Sequence, residues 1–213
     1  MKTIPEIVCL HADAALLVLD KPAGLLSVPG RGPDKQDCMA SRVQARWPGA
    51  CVVHRLDMAT SGLMLFARGA QIQRRLSQAF ESRQIEKRYV AVVDGEMSES
   101  CGRIELALAA DWPRRPLQKV DRAHGKPSRT DWQVLGFDAA QGIARLALMP
   151  LTGRTHQLRL HLSAIGHPIL GDALYAPPAV RDRAERLMLH ASGLTLAHPV
   201  SGDRLQLQCD APF

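Results

Sequence analysis

Residues 54–62 read HRLDMATSG and place a cation, an acid and two hydroxyl groups directly before an apolar run. That run, GLMLFA at residues 62–67, has the length of a buried central strand. The stretch is therefore predicted to be a loop that enters a strand, with Gly62 allowing close approach of another backbone segment. Such a loop can present the carboxylate of Asp57. These residues alone are equally compatible with structural roles. Asp57 could cap a turn, Arg55 could pair with it on the surface, and His54 could be a core histidine.

The rest of the chain is predicted to mix short strands with amphipathic helices. Strands are predicted at residues 6–13, 14–20, 86–96, 129–138, 142–150, 187–198 and 203–209. Helices are predicted at residues 38–47, at residues 70–83 with Ile72, Leu76 and Phe80 on one face, and at residues 152–166 with Thr152 as a cap and Leu158, Leu162 and Ile165 on one face. Residues 21–34 read as a loop, and residues 96–125 are the least regular part. The sum is an α+β fold in a single domain, residues 1–213.

The charge of the chain favours a polyanionic partner. Its 213 residues carry 27 Lys and Arg against 21 Asp and Glu, which gives a formal charge of +6. The excess lies in short groups, namely Arg74, Arg75, Lys87, Arg88, Arg114, Arg115, Lys119, Arg122, Lys126 and Arg129. Such groups can also simply solvate a surface, so charge alone leaves nucleic-acid binding open.

Several other classes of protein are disfavoured by the sequence. The five cysteines are scattered and lack a CxxC pair, which favours a reducing, cytoplasmic setting over a disulfide framework or zinc site. Acidic residues interrupt the first 20 residues before they reach signal-peptide or membrane-span length. No GxxxxGK[ST] or GxGxxG motif occurs. Potential metal ligands exist at His54, Asp57, His156, His161 and His167, but their spacing matches no recognised site, so no metal is expected.

Five ordered segments together resemble one known family. HRLDMATSG looks like the HRLDxxTSG signature of the RluA-type pseudouridine synthases. KPAGLLSVPGR, EKRYVAVV, LTGRTHQLRLHLSAIGHPILGDALY and LMLHASGLTLAHP match in order, so that the resemblance extends from about Lys21 to Pro199. It implies a mixed, mostly antiparallel sheet in two lobes with flanking helices and a central cleft. It also implies isomerisation of uridine to pseudouridine in structured RNA, without a cofactor.

The resemblance implies roles for four residues. Asp57 is the catalytic carboxylate, which either attacks C1′ of the ribose or acts as a base at C2′. Arg159 forms a salt bridge that keeps this aspartate charged, with Arg154 as the alternative. Tyr89 stacks on the flipped uracil and is a candidate for removing the C5 proton, and Arg55 flips the uridine out of the RNA stack. Phosphate or surface contact for Arg159 and simple packing for Tyr89 remain the structural alternatives.

Further RNA contacts are expected from residues in the same motifs. They are His54, Thr60, Arg88, Arg154, His156 and Leu189, although a leucine in a strand is by default a core residue. Only 20 residues precede the KPAG segment, so no N-terminal S4-like domain is expected. This short form resembles family members that modify both large-subunit ribosomal RNA and the tRNA anticodon stem-loop. A single-substrate tRNA enzyme, a non-catalytic RNA-binding protein and a base-excising enzyme are the alternatives, and a monomer is expected.

Overall fold

The computed structural model describes residues 7–213, which form a mixed α and β structure. The strands are β1 (Val8–Ala12), β2 (Leu16–Lys21), β3 (Ala50–Val52), β4 (Ser61–Arg68), β5 (Glu86–Asp94), β6 (Cys101–Ala110), β7 (Gln118–Val120), β8 (Lys126–Asp138), β9 (Ile143–Pro150), β10 (Leu189–Ala197) and β11 (Arg204–Gln208). The helices are α1 (Met39–Arg46), α2 (Ala70–Glu81), α3 (Gln157–Ala164) and α4 (Pro178–Arg181). Within residues 7–213, no helix is both long and apolar enough to cross a bilayer. The predicted α+β class is confirmed.

The chain divides into two compact units. Of the described residues, unit 1 comprises residues 7–86 together with Ala191–Pro212, and unit 2 comprises Lys87–His190 with Phe213. Each unit supplies part of the residues that the sequence motifs single out. The assignment of residues 1–213 to a single catalytic domain stays a prediction.

The core of unit 1 is built on β2 and β4, which pair antiparallel and are buried on both faces. On one face, Leu19 and Phe66 pack with the buried residues of α1, which are Met39, Ala40 and Val43. On the other face, a second set packs against α2 and β11, and it includes Leu16, Val18, Leu63, Leu65 and Leu76. Full burial of each such side chain contributes roughly 1.5–3 kcal/mol. The prediction of a buried central strand at residues 62–67 is thereby confirmed.

Gly62 lies where β4 meets the backbone of β10. Its φ of +113° is a conformation that other L-residues rarely adopt, and a Cβ there would overlap the carbonyl oxygen and nitrogen of Ala191. The close backbone approach predicted for this glycine is confirmed. It fixes the point at which the HRLDMATSG loop enters the strand.

Helices α1 and α2 follow their predicted patterns. In α1, Cys38 and Ser41 form a reciprocal capping box, in which each side chain accepts the other's backbone N–H. In α2, Leu76 is 1% exposed, and Ile72 and Phe80 pack against the same core cluster. The helical spacing of these apolar residues therefore identified the buried face correctly.

Unit 2 is built on an antiparallel array in which β5, β9, β8, β6 and β7 are neighbours in that order. The strands predicted at residues 129–138 and 142–150 are confirmed as β8 and β9, which pair as a hairpin. No strand was predicted within residues 96–125, the part expected to be least regular, yet β6 occupies ten of these residues. Within β6 only Ile104 and Leu108 are buried hydrophobics, so its apolar signal is weak. The strand is held instead by eight residue pairs with β8, from Cys101↔Gln133 to Leu108↔Lys126.

Helix α3 begins differently from its prediction. Its N-cap is His156 in a left-handed conformation, with φ of 54° and no side-chain cap, so the predicted capping by Thr152 was wrong. The Thr152 hydroxyl donates instead to Oε1 of Gln157, at 2.8 Å. Leu158 and Leu162 are buried as predicted, whereas Ile165 follows the last helical residue and is 38% exposed.

Candidate active site

The HRLDMATSG loop is anchored in unit 1 through its backbone. The Ser27 hydroxyl donates to the carbonyl oxygen of Leu56 at 2.6 Å and accepts the Leu56 N–H at 3.0 Å. The N–H of Gly24 donates to the carbonyl oxygen of Met58 at 2.8 Å. Both partners belong to the KPAGLLSVPGR segment, which therefore supports the loop on either side of Asp57.

Lys21 holds the same two segments together from the interior. Lys21 is 0% exposed, and its ammonium donates to the carbonyl oxygens of Pro22, Leu25 and Met58 at 2.9, 2.7 and 3.1 Å. A buried ammonium requires such hydrogen bonds to offset its lost hydration. Lys21 is thus a structural cation directly beneath the loop, a role that the sequence analysis missed.

His54 supports the loop from the strand side. Its Nε2 accepts the backbone N–H of Leu65 at 2.9 Å, and its ring lies 4.7 Å from that of Phe80. An Nε2 that accepts a hydrogen bond carries no proton, so the imidazole is neutral with its proton on Nδ1. These contacts match the core-histidine alternative, and the RNA contact expected of His54 stays a prediction.

The loop presents charged groups from this anchored backbone. Asp57 is half-buried, and its carbonyl oxygen accepts the N–H of Thr60 at 3.1 Å in a tight turn. Arg55 is exposed, as is Met58 at 52%, whereas Thr60 is 2% exposed. A backbone hydrogen bond thus closes the turn that carries Asp57.

In unit 2, Tyr89 lies near the start of β5. It pairs with Leu148 of β9 and is half-buried. Side chains alternate across a strand, so Tyr89 shares a face with Lys87 while exposed Arg88 points to the opposite face. The ammonium of Lys87 reaches the carbonyl oxygen of Thr152 at 3.5 Å. Tyr89 therefore faces the side on which the segment leading into α3 lies.

Gln157 organises that segment, residues 152–157. It is 4% exposed, and its Oε1 accepts from the Thr152 hydroxyl and from the Arg154 N–H at 3.0 Å. Its Nε2 donates to the carbonyl oxygen of Arg129 and to Oγ1 of Thr130, both at 3.0 Å. The side-chain amide of Gln157 thus holds the segment through both its oxygen and its nitrogen. The Arg154 side chain is exposed.

Arg159 forms a buried ion pair within unit 2. Its Nε lies 2.8 Å from Oδ2 of Asp172 and its Nη2 lies 2.5 Å from Oδ1, while both side chains are almost completely buried. Asp172 also accepts the N–H groups of Leu174 and Tyr175 at 2.9 and 3.2 Å. This bidentate geometry fixes the guanidinium plane. The salt bridge with Asp57 that the sequence implied for Arg159 stays a prediction.

Tyr175 extends the network to His156. Its hydroxyl lies 2.7 Å from Nδ1 of His156 and accepts the N–H of Gln118 at 2.9 Å, so its own proton is available to the imidazole. The Arg159 guanidinium carbon lies 5.3 Å from the Tyr175 ring centroid. His156, Arg159, Asp172 and Tyr175 therefore form one connected cluster.

Leu189, at the start of β10, is 3% exposed, which matches its core alternative.

His161 forms a second buried pair, with Ser128. Its Nε2 lies 2.8 Å from the Ser128 hydroxyl, which donates to the carbonyl oxygen of Leu106. The imidazole therefore carries its proton on Nε2, while Nδ1 is buried without a hydrogen-bond partner. Burial lowers the pKa of His161 from 6.5 to about 4, because a charged ring would lose its hydration.

This pKa predicts a loss of stability in mild acid. The unfolded chain binds a proton at His161 below about pH 6.5, whereas the folded chain binds it only near pH 4, so folding becomes less favourable as the pH falls through that window. We expect urea unfolding to show about 2 kcal/mol less stability at pH 5 than at pH 7.5 from this group. His161→Gln keeps a donor for Ser128 but cannot titrate and should lack this loss. Equal losses in the two proteins would contradict the assignment.

Potential metal ligands were considered within each unit separately. Among residues 7–213, neither unit taken by itself holds three potential ligand side chains with their donor atoms within 4.8 Å of one another. Cys209, in unit 1, has a pKa raised to about 11 by burial and then by the nearby Asp20 carboxylate. Its thiol therefore stays protonated at neutral pH.

The residues missed by the sequence analysis are mainly partners of the residues it identified. Lys21, Asp172 and Tyr175 all lie inside segments that were quoted for the resemblance, KPAG and GDALY. A lysine before a turn and an aspartate after a glycine are common surface features, so residue type alone gave no signal. Their burial identifies them, together with the atoms they contact.

Comparison with known proteins gives the class of this chain. Residues 15–164 match the family model described as RNA pseudouridylate synthase. The chain is 46% identical over 209 residues to the dual-specificity RNA pseudouridine synthase RluA of Escherichia coli strain K12. The matched region covers 98% of this chain and 95% of that protein. The protein of the same description from Yersinia pestis is 46% identical over 206 residues, covering 97% and 100% of the two chains. The solved structure of human RNA pseudouridylate synthase domain containing 1 matches with a TM-score of 0.82 and 30% identity, covering 100% of this chain and 86% of that one.

These matches define the chain as an RNA-modifying isomerase. The chain belongs to the RNA pseudouridylate synthase family, and the enzyme converts uridine to pseudouridine in RNA. The family and the activity predicted from the sequence are confirmed.

Proposed function

We propose that this enzyme modifies two classes of RNA, the anticodon stem-loop of tRNA and large-subunit ribosomal RNA. The observation that carries the proposal is 46% identity across 98% of the chain to an enzyme described as a dual-specificity RNA pseudouridine synthase. That match covers 95% of the relative, so it extends over regions well beyond the catalytic motifs. Loops whose bases can splay out are the usual targets of sequence-specific RNA recognition, and one site can accept two RNAs that offer the same loop shape.

Asp57 is the proposed catalytic carboxylate. Isomerisation breaks the bond from C1′ to N1, turns the uracil, and joins C1′ to C5. C5 then loses its proton and N1 takes one up, so uridine and pseudouridine have the same composition. A carboxylate at the ribose serves either as a nucleophile at C1′ or as a base at C2′. Its support is the anchored loop, whose contacts with the KPAGLLSVPGR segment fix the position of half-buried Asp57.

Three other residues have proposed roles around the target uridine. Arg55 is exposed on the same loop, and its planar guanidinium can occupy the gap left by the flipped base. Tyr89 offers a ring for stacking on the uracil, and its phenol is the candidate for removing the C5 proton. Arg159, fixed by Asp172, offers the cation that keeps a carboxylate ionised in a desolvated site. We further propose that the enzyme acts as a monomer in the cytoplasm, where mature tRNA and ribosomes are found.

Mapping of modified sites tests the two-substrate proposal. Carbodiimide adducts of pseudouridine stop reverse transcriptase, so a strain lacking this gene should lose one stop in tRNA and one in large-subunit ribosomal RNA. A plasmid carrying the wild-type gene should restore both stops, and one carrying Asp57→Asn should restore neither. Loss of stops in only one RNA class would contradict dual specificity and favour a single-substrate enzyme.

A further inference from the structure

Unit 2 displays an exposed tryptophan on the segment that joins β6 to β7. Trp112 is 67% exposed, although a tryptophan is normally among the largely buried residues. The guanidinium carbon of Arg115 lies 3.5 Å from the centroid of its ring, which is cation–π stacking distance. We call residues 111–118 the Trp112 loop. Most of the indole surface on this loop is open to solvent.

The Trp112 loop is held in one conformation by its own hydrogen bonds. The N–H of Asp111 donates to the carbonyl oxygen of Leu117 at 2.9 Å, and the N–H of Leu117 donates to that of Arg114 at 3.0 Å. The Asp111 carboxylate, on a residue only 6% exposed, accepts from Nε of Arg114 at 2.7 Å. The indole is therefore displayed on a fixed support, which lowers the entropy cost of binding something against it.

Most of the formal net positive charge of the chain lies in residues 112–129, which begin in this loop. Residues 112–129 contain six Lys and Arg and one Asp, whereas the remaining 195 residues contain 21 Lys and Arg and 20 Asp and Glu. Lys119 and Arg122 belong to this group, and they are exposed. A stretch of 18 residues therefore accounts for five of the six units of formal net charge. An anionic ligand is favoured at this surface.

The loop is connected to the candidate active site within unit 2. Gln118, its last residue, donates its N–H to the Tyr175 hydroxyl, which in turn contacts His156. The ring of Tyr175 lies beside Arg159. An RNA bound at these residues therefore has its flanking nucleotides within reach of the basic segment.

We propose that Trp112, backed by Arg115, is a stacking platform for an unpaired base of the substrate RNA outside the target uridine. The inference rests on the RNA substrate of the proposed function and extends it to a second contact point. An aromatic ring among cations binds single-stranded RNA by base stacking together with phosphate contacts. Lys119 and Arg122 supply the phosphate contacts in this account.

Binding of a labelled anticodon stem-loop RNA, measured by fluorescence anisotropy over a range of salt concentrations, tests the platform. Trp112→Ala should raise Kd by about 5- to 100-fold, which is the range for loss of one stacked base. Trp112→Phe retains an aromatic face and should stay within about threefold of the wild type. Phe137→Ala is the matched control, because Phe137 is an aromatic residue of the same unit that is 39% exposed, and its Kd should not change.

The salt dependence separates stacking from charge. Trp112→Ala removes no charge and should leave the slope of log Kd against log salt unchanged, whereas Lys119→Ala should reduce that slope by about 1. An unchanged Kd for Trp112→Ala, or equal weakening by Trp112→Phe, would overturn the platform. Failure of the dual-specificity proposal would look different, because the wild-type enzyme would then lack turnover on one RNA class while the Trp112 variants still differed in binding the other.

Discussion

Replacement of Asp57 by asparagine is expected to abolish pseudouridine formation. The amide has nearly the shape of the carboxylate but can neither attack C1′ nor accept a proton from C2′, so we expect turnover to fall by about four orders of magnitude or more. The loop contacts that surround Asp57 use backbone atoms of Leu56, Asp57 and Met58, together with the ammonium of Lys21. Urea unfolding of Asp57→Asn beside the wild type separates a loss of chemistry from a loss of folding.

Single-turnover modification of the anticodon stem-loop, read by carbodiimide-dependent stops, measures this loss. Asp34→Asn is a matched control, because Asp34 is an exposed aspartate of the same unit and lies outside the loop. The control should modify RNA at the wild-type rate. Activity of Asp57→Asn within tenfold of the wild type would exclude this carboxylate from the chemistry.

Replacement of Arg159 is expected to affect stability as well as turnover. Arg159→Ala leaves the Asp172 carboxylate buried without its cation, which costs about 3–5 kcal/mol. It also removes the cation proposed to keep Asp57 charged. We expect turnover to be lost while RNA binding at a temperature where the variant is folded stays largely intact.

A double variant separates the two effects. Asp172→Asn keeps an oxygen that accepts the N–H groups of Leu174 and Tyr175 but removes the charge, so Arg159→Met with Asp172→Asn leaves no buried ion unpaired. Urea unfolding should show that the double variant regains much of the stability lost in Arg159→Ala, while its turnover stays as low. If turnover recovers with stability, Arg159 has only a structural role.

The elements that sequence predicted well are those whose apolar pattern agrees with their burial. β4 was predicted because its apolar run is buried on both faces, and α2 because Leu76 and its neighbours recur at helical spacing. β6 was missed because a strand with only two buried hydrophobic residues shows little apolar alternation in its sequence. The strand is held in place by its pairing with β8. Non-local pairing of this kind leaves little trace in the local sequence.

The candidate site residues also differ in whether local sequence could indicate them. The motif residues Asp57, Tyr89 and Arg159 could be named from the sequence because their order and spacing match a family. Their supports could not, since the contact of Lys21 with the Met58 carbonyl spans 37 residues and the pairing of Arg159 with Asp172 spans 13. The start of α3 shows the limit for capping, because a left-handed His156 replaces the threonine cap that local preference favours.

Tritium release from RNA labelled at C5 of uridine tests most directly the claim that Asp57 drives isomerisation. Wild-type enzyme should release tritium from the target uridine as the new C5 bond to C1′ forms, with no free uracil, and Asp57→Asn should release none. Free uracil from the wild type would indicate hydrolysis of the glycosidic bond rather than isomerisation. Tritium release by Asp57→Asn at the wild-type rate would contradict the central role of this carboxylate.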